Sequence, residues 1–418
     1  MQCQYYVKKK NRLCKMTVKE GERFCGQHMA VDSLKDWNDN TGEIKHPKRV
    51  ACPYDNKHSC YVKNLKKHTA ACNSRPRENP PFIISGINCG DQNVKRNCRK
   101  FADLSTDELT LLMQKIESVY NSHIPTVERE ILKHAVLSEE LNNSSYGPNK
   151  MKHLLQNSSL LGHAKKSGLL QGNTVFIEFG AGRGQLSYYV AQIMQEDDNC
   201  LLLLIDRASQ RHKFDNKLKE SPMPYKRIRA DIADLCLEFM PVLHLYKRIV
   251  SLGKHLCGSA TDLALRSMIG GDRMEEERGV CAAGILMAMC CHHRCDWGSY
   301  TGKDFMVAHG FTAEDFDVMC GISSWATCGS GRSRETSDSE EHVDGHMHAD
   351  GQRPIHLTLT EDERKIIGRK SKAILNYGRQ VYLESHGYKC RQIEYVSEET
   401  SPENVCILAK RVADNLML

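Results

Sequence analysis

Four residues in one short segment, Cys52, His58, His68 and Cys72, offer two thiols and two imidazoles. These soft and borderline donors suit tetrahedral zinc. His68 and Cys72 stand four apart, hence on one face of a helix through Leu65–His68, while Cys52-Pro53 fits a turn, so both halves can converge on one ion. Upstream, Cys3, Cys14, Cys25 and His28 make a second quartet with wider spacing. Residues 1–75 carry too few large apolar side chains to fold by burial, and metal is the expected substitute for a core.

A different chemistry is written in Val175–Gly184, VFIEFGAGRG. An apolar strand runs directly into Gly180, Gly182 and Gly184, which let the backbone turn sharply and approach a ligand at the carboxyl end of the strand. A nicotinamide-type glycine pattern needs glycine at 185, where Gln185 stands. Glu178 precedes the loop, Asp206 ends the next apolar run, LLLLIDR, and Asp231 follows the third, in RADIADL. In this order the acids fit a donor such as S-adenosylmethionine, with Glu178 toward the methionine end, Asp206 on the ribose hydroxyls and Asp231 at the adenine.

Methyl transfer from a sulfonium is an in-line displacement, so holding the acceptor against the methyl group is the main task. A hydroxyl acceptor also gains from a base. Lys254, His255, His292 and His293 are the candidates, in that order, from the stretches SLGKHLCGSATD and AMCCHHRCDW. A structural or RNA-orienting role is open for each of them. Cys290, Cys291, His292, His293 and Cys295 are dense enough to suggest a third metal site, but neighbours on a strand point to opposite faces and are not expected to meet at one ion. Cys257 is expected to be a buried thiol rather than a nucleophile toward a pyrimidine.

The elements that must position these groups follow from periodicity. From about residue 150, short apolar runs alternate with helical segments, the pattern of an α/β fold with a parallel sheet. Strands are expected at Thr174–Phe179, Leu201–Asp206, Arg227–Ala230, Arg248–Leu252, Gly279–Met289, Tyr388–Val396 and Val405–Lys410. Ser105-x-x-Glu108 and Thr360-x-x-Glu363 are capping boxes for two amphipathic helices. Ser74–Asn97, rich in Pro and Gly, reads as a linker, and residues 329–353 read as a disordered polar insertion whose His342, His346 and His348 need bind nothing.

The chain has 418 residues, 40% of them hydrophobic, and no apolar run long enough for a membrane span or a signal segment. An intracellular protein is expected, in nucleus or cytoplasm, with its 19 cysteines reduced. Residues 1–100 hold 21 Lys and Arg against 9 Asp and Glu, whereas the whole chain is only +6. This basic end, with Lys8, Lys9, Lys10, Arg12 and Lys15 around one quartet and Lys57, Lys63, Lys66 and Lys67 around the other, suits phosphate neutralisation. Tyr5, Tyr6 and Tyr61 can stack on bases, although packing on the metal module is the expected role.

On these residues the chain resembles a known family. CPYDNKHS with HTAAC is similar to the Cys-His-His-Cys finger of a minor-spliceosome protein and of tRNA methyltransferases. FIEFGAGRGQLS, LLLIDR, KHLCGSATDLAL, AMCCHHRCDW and SSWAT together resemble the eukaryotic tRNA 2′-O-methyltransferases that modify nucleotide 4 of the acceptor stem; Gly253 before Lys254 is a departure. The resemblance implies a Rossmann-like seven-stranded methyltransferase domain, S-adenosylmethionine and zinc as cofactors, tRNA as partner and ribose methylation as the reaction. It designates no proton acceptor. The expected layout is a Cys3His zinc module at 1–32, a Cys-His-His-Cys finger at 48–75, a linker and helical segment at 76–149, and the methyltransferase domain at 150–412, with no obligate protein partner and no membrane association. Residue spacing alone leaves open a methyltransferase for a base or protein side chain, or an RNA-binding protein that no longer catalyses.

Overall fold

The structure is a computed structural model and describes residues 2–7, 12–18, 21–25, 28, 49–72, 75, 79–91, 104–197, 199–208, 214–270, 280–328 and 359–412. The insertion at 329–353, with its three histidines, and Lys8–Lys10 lie outside them. The chain divides into two compact units, Met1–Glu78 and Asn79–Leu418.

Among its described residues the first unit has little regular structure. Strands β1 (Tyr6–Val7) and β2 (Arg12–Leu13) pair antiparallel, as do β3 (Arg49–Cys52) and β4 (Asp55–Tyr61), and a short helix, α1 (Leu65–Ala71), follows. Its buried residues are chiefly cysteines, with Tyr5, Val7, Val18 and Phe24 packed around three of them.

The second unit is built on one large sheet. Its strands are β5 (Glu128–Arg129), β6 (Thr174–Phe179), β7 (Leu201–Ile205), β8 (Tyr225–Ile228), β9 (Arg248–Cys257), β10 (Cys281–Cys290), β11 (Tyr388–Glu394) and β12 (Val405–Arg411). They lie in the order β5-β11-β12-β10-β9-β6-β7-β8. β8, β7, β6, β9 and β10 run parallel, and β12 is antiparallel to both β10 and β11. The seven expected strands are all present, and the eighth is a two-residue edge piece that pairs parallel with β11. β6 and β7 are buried on both faces, which is why TVFIEF and LLLLI read as continuous apolar runs instead of alternating ones.

Each face of the sheet carries its own apolar layer, one including Val175, Ile177, Leu203 and Ile285, the other Phe176, Leu202, Leu204 and Leu286. A third cluster joins helix α2 (Thr106–His123) to helix α3 (Glu361–Ser385). Both helices begin with the expected capping box, as Ser105 Oγ accepts from Glu108 N and Thr360 Oγ1 from Glu363 N. Part of Ser74–Asn97 is docked, not merely a connection. Ile84 N donates to Asp234 O, and the buried Asn88 amide donates to the carbonyls of Ile232 and Leu235 at 2.7 and 2.8 Å.

At the centre of the unit sits a buried ion pair with no local sequence signal. Arg379, on α3, forms a bidentate pair with Asp262, Nε to Oδ1 at 3.0 Å and Nη2 to Oδ2 at 2.7 Å, both side chains being essentially inaccessible. Asp262 Oδ1 also accepts from Thr301, and Arg379 also donates to Asn376 and to the Cys295 sulfur. The pair ties the helix after β9, Ser259–Gly270, to the long helix α3.

Candidate active site and metal centres

In an open parallel sheet, ligands bind outside the carboxyl ends of the strands where the order reverses. Here that place is the β6–β9 boundary, since β6 is followed in sequence by β7 on one side and flanked by β9 on the other. The glycine loop lies there. Gly180, Gly182 and Gly184 have φ of 64°, 49° and 75°, a region costly for side-chain-bearing residues. A Cβ on Gly180 would meet Leu256 at 3.0 Å, so the loop lies directly against the KHLCG segment, and one on Gly184 would meet Leu204 at 2.9 Å. A Cβ on Gly182 would have only the Gly180 carbonyl oxygen within 4 Å, at 3.8 Å.

Of the three acids, Asp206 holds this loop directly, Glu178 holds the helix that follows it, and Asp231 holds its own turn. Asp206 Oδ2 accepts from Gly182 N at 2.7 Å and its Oδ1 from Ala208 N at 2.7 Å. Glu178 is buried, and its Oε2 accepts from the backbone and hydroxyl of Ser187, fixing the start of the following helix, Gln185–Ile193. Burial pushes the Glu178 carboxyl up from its usual range, against the pull of those hydrogen bonds. Asp231 accepts from Ala233 N and from Arg207. One loop-holding residue was not legible in the sequence: Arg227, on β8, is paired bidentately with Asp215 and donates from Nη1 to Gly182 O at 3.2 Å.

The four base candidates have four different fates. Lys254 is half-buried near the end of β9, its Nζ donating to Asn157 Oδ1 at 2.5 Å and to His153 O at 3.3 Å. Burial pulls its ammonium down to about 8, partly opposed by Glu178. His255 is left-handed at φ 59°, its Nε2 donates to Gln156 Oε1 at 3.1 Å, and burial with the Lys254 charge lowers it to about 4. His292 is buried and donates from Nε2 to Asn376 Oδ1 at 2.6 Å, which joins it to the Arg379–Asp262 network; burial holds it well below the usual imidazole range. His293 is exposed.

The partners of Lys254 and His255 come from the helix Pro148–Lys166, whose run Gln156-Asn157-Ser158-Ser159 is wholly buried. Four polar residues in succession go right round a helix and ordinarily mark a solvated stretch, so the sequence pointed away from this role. Gln156 Nε2, Asn157 Nδ2 and Ser251 Oγ are buried with no hydrogen-bond partner, unspent polar capacity of the kind a bound ligand uses.

Both predicted quartets close. In the first, Cys3 Sγ and Cys25 Sγ lie 3.5 and 3.4 Å from His28 Nδ1, and Cys14 Sγ lies 4.0 Å from Cys25 Sγ. Burial raises the Cys3 thiol, but hydrogen bonds from Cys25, Tyr5 and His28 outweigh it and bring it to about 6, favouring the ligating thiolate. Tyr5 stacks on His28 at 3.9 Å between centroids, as a module-packing residue should. In the second, Cys52 Sγ is 3.5 Å from Cys72 Sγ, Cys72 Sγ is 3.4 Å from His58 Nε2, and the two Nε2 atoms are 3.3 Å apart. The Asp55 carboxylate lies 3.6 Å from His58 Nδ1, the outer partner that orients a zinc-bound imidazole. Tyr61 packs under Arg49, and Tyr6 is half exposed. The donor sets fit zinc on both counts, chemistry and convergence.

A largely parallel α/β sheet with a glycine loop at its switch point and acids near the ends of β6, β7 and β8, in one chain with two Cys/His quartets, defines a zinc-bearing Rossmann-like methyltransferase. Residues 155–410 match the family described as methyltransferase TRM13, residues 1–29 the CCCH zinc finger in TRM13 protein, and residues 49–73 the U11-48K-like CHHC zinc finger. The chain belongs to the TRM13 methyltransferase family. It is 35% identical to the mouse tRNA:m(4)X modification enzyme TRM13 homolog over 97% of this chain and 94% of that one. It is 34% identical to the human homolog with the same coverage, and 31% identical to the Saccharomyces cerevisiae enzyme over 98% and 95%. Among solved structures it is similar to the small RNA methyltransferase HEN1, with 10% identity, a TM-score of 0.31 and coverage of 61% of this chain and 25% of that one. No helix among the described residues is long and apolar enough to cross a membrane.

Proposed function

We propose that this protein methylates the ribose 2′-hydroxyl of nucleotide 4 in a tRNA acceptor stem. Its full-length relatives are named for tRNA and for position 4, and both fingers and the methyltransferase unit fall within the similarity. The observation that carries the chemistry is Lys254. It stands beside the glycine loop with its ammonium pulled down to about 8, so a useful fraction is the neutral amine near neutral pH.

S-adenosylmethionine, when bound, supplies an electrophilic methyl group on a sulfonium. Gly180 and Gly182 would give it backbone access, Asp206 would hold its ribose hydroxyls and Asp231 would contact its adenine. Asn157 fixes Lys254 Nζ, so the neutral amine would be placed to take the proton that the 2′-hydroxyl loses on methylation, the donor's methyl–sulfur bond breaking to leave a neutral thioether. His255, lowered to about 4, is a poor base at neutral pH and serves to shape the site with Gln156. His292 acts through the buried network, and exposed His293 meets RNA. The fingers supply phosphate contacts through exposed Arg12, Lys15, Lys63, Lys66 and Lys67, which suits A-form helices recognised by backbone and shape. Layout follows the same division, with modules at 1–32 and 48–75, a connecting and docking segment at 76–149 and the catalytic domain at 150–412. The enzyme acts in nucleus or cytoplasm.

The test is methyl transfer to unmodified tRNA with labelled donor, run beside the same tRNA carrying deoxyribose at nucleotide 4. Labelling of the first alone is expected. Equal labelling of both moves the acceptor to a base or another position.

A further inference from the structure

Cys257 ends β9 and Cys290 ends β10, and the two are paired in register across adjacent parallel strands. Their sulfurs are 3.4 Å apart. On a regular strand the next side chain, Cys291, would point to the other face of the sheet. It does not. Cys291 is left-handed at φ 53° and ψ 45°, and all three sulfurs fall within 4.8 Å of one another.

That conformation is unusual for a cysteine. Among the described residues only Asn173, Asn199, His255 and Cys291 have positive φ without being glycine, and asparagine is the type that tolerates it. Of the two remaining cases one is Cys291 itself and the other, His255, lies two residues before Cys257, both in a region that costs roughly 1–2 kcal/mol for an ordinary residue. Such strain persists where surrounding structure over-determines it, and it clusters at functional sites. Here Cys291 N donates to Glu403 Oε1 at 3.2 Å, Glu403 is paired with Lys372, and Gly258 N donates to Cys290 O at 3.0 Å. A Cβ on Gly258 would lie 2.6 Å from the Arg294 backbone, so the two turns are closely interlocked.

We propose that Cys257, Cys290 and Cys291 form a third metal centre, which binds one zinc ion through three thiolates and leaves its fourth position to a solvent oxygen. With zinc–sulfur bonds of about 2.3 Å, tetrahedral ligands sit about 3.8 Å apart. The sulfur separations in the two finger sites, 4.0 and 3.5 Å, bracket that value, and the 3.4 Å of Cys257–Cys290 falls just below it. Three thiolates select a soft ion over magnesium or calcium. Cys290 is buried while Cys257 and Cys291 are partly accessible, which leaves one side of the centre open to solvent. The ion would clamp the turn after KHLCG to the turn after AMCC, and so fix the β9 end that carries Lys254 and His255.

Native mass spectrometry of the full chain, purified with zinc under reducing conditions, reads the ion count directly. Three zinc ions per chain are expected, falling to two in Cys291→Ser and in Cys257→Ser with the compact charge-state distribution retained. Two ions in the unaltered chain, or an unchanged count in both variants, would overturn the proposal, as would a Cys257–Cys290 disulfide in the freshly reduced protein. Should either variant unfold, cobalt substitution of a chain carrying Cys14→Ser and Cys52→Ser decides the matter. Thiolate-to-cobalt absorption that disappears on alkylating Cys257 supports the centre, and its absence from the outset sinks it.

Discussion

The two units of this protein are held together by opposite means. The described residues of 1–78 bury little apart from cysteines, and two Cys/His quartets take the place of a core, whereas the methyltransferase unit encloses apolar layers on both faces of an eight-stranded sheet. A unit organised by a few strong bonds fails all at once when they are removed. One organised by many weak contacts is sensitive chiefly to unpaired charge and lost volume. Chemistry divides along the same line, with phosphate contacts assigned to the first unit and methyl transfer to the second.

Metal removal tests this contrast most severely. Structural zinc contributes about 10–16 kcal/mol in finger peptides, so a mild chelator is expected to make residues 1–78 protease-sensitive while the sheet-bearing segments 104–270 and 359–412 stay resistant. Simultaneous digestion of both would break the comparison. On the other side, Arg379→Met strands the buried Asp262 carboxylate and should lower unfolding free energy by about 3–5 kcal/mol in urea titrations, with zinc content at the fingers unchanged. Replacing both partners by apolar residues should recover much of that loss.

Within the catalytic unit, Lys254→Met is expected to lower kcat by roughly 10²–10⁴-fold. Because the neutral amine is the active form, wild-type rate should rise with pH through about 8, and the variant should lose that slope. A retained slope would assign the base elsewhere. Asp206→Ala should weaken donor binding by about 1.5–3 kcal/mol, roughly 10–100-fold by calorimetry, with finger zinc untouched. The smallest effect concerns acid. His134, His153, His163, His255 and His292 are all held low, chiefly by burial. The unfolded chain takes up these protons near pH 6.5 and the folded one only below it, so stability should be flat above about 6.5 and fall as pH drops further. A denaturation midpoint unchanged between pH 7.5 and 5 would contradict this.

What the chain alone determined is whatever depends on residue type and short spacing. The glycine loop, the capping boxes at Ser105 and Thr360, the strand runs and both metal quartets are of this kind, because a turn, a cap or a set of ligands constrains its own few residues. The tertiary structure decided everything that required distant segments to meet. Asp262 and Arg379 are separated by 117 positions, Lys254 and Asn157 by 97, and neither member of either pair carries a local mark of the other. It also corrected one local rule. Neighbouring strand residues were expected to face apart, and the left-handed turn at Cys291 brings it to Cys290 and Cys257, while His292, one of four base candidates, is bonded in the interior to Asn376. A backbone angle is chosen by the packing of the whole unit, and no pattern of residue types records that choice.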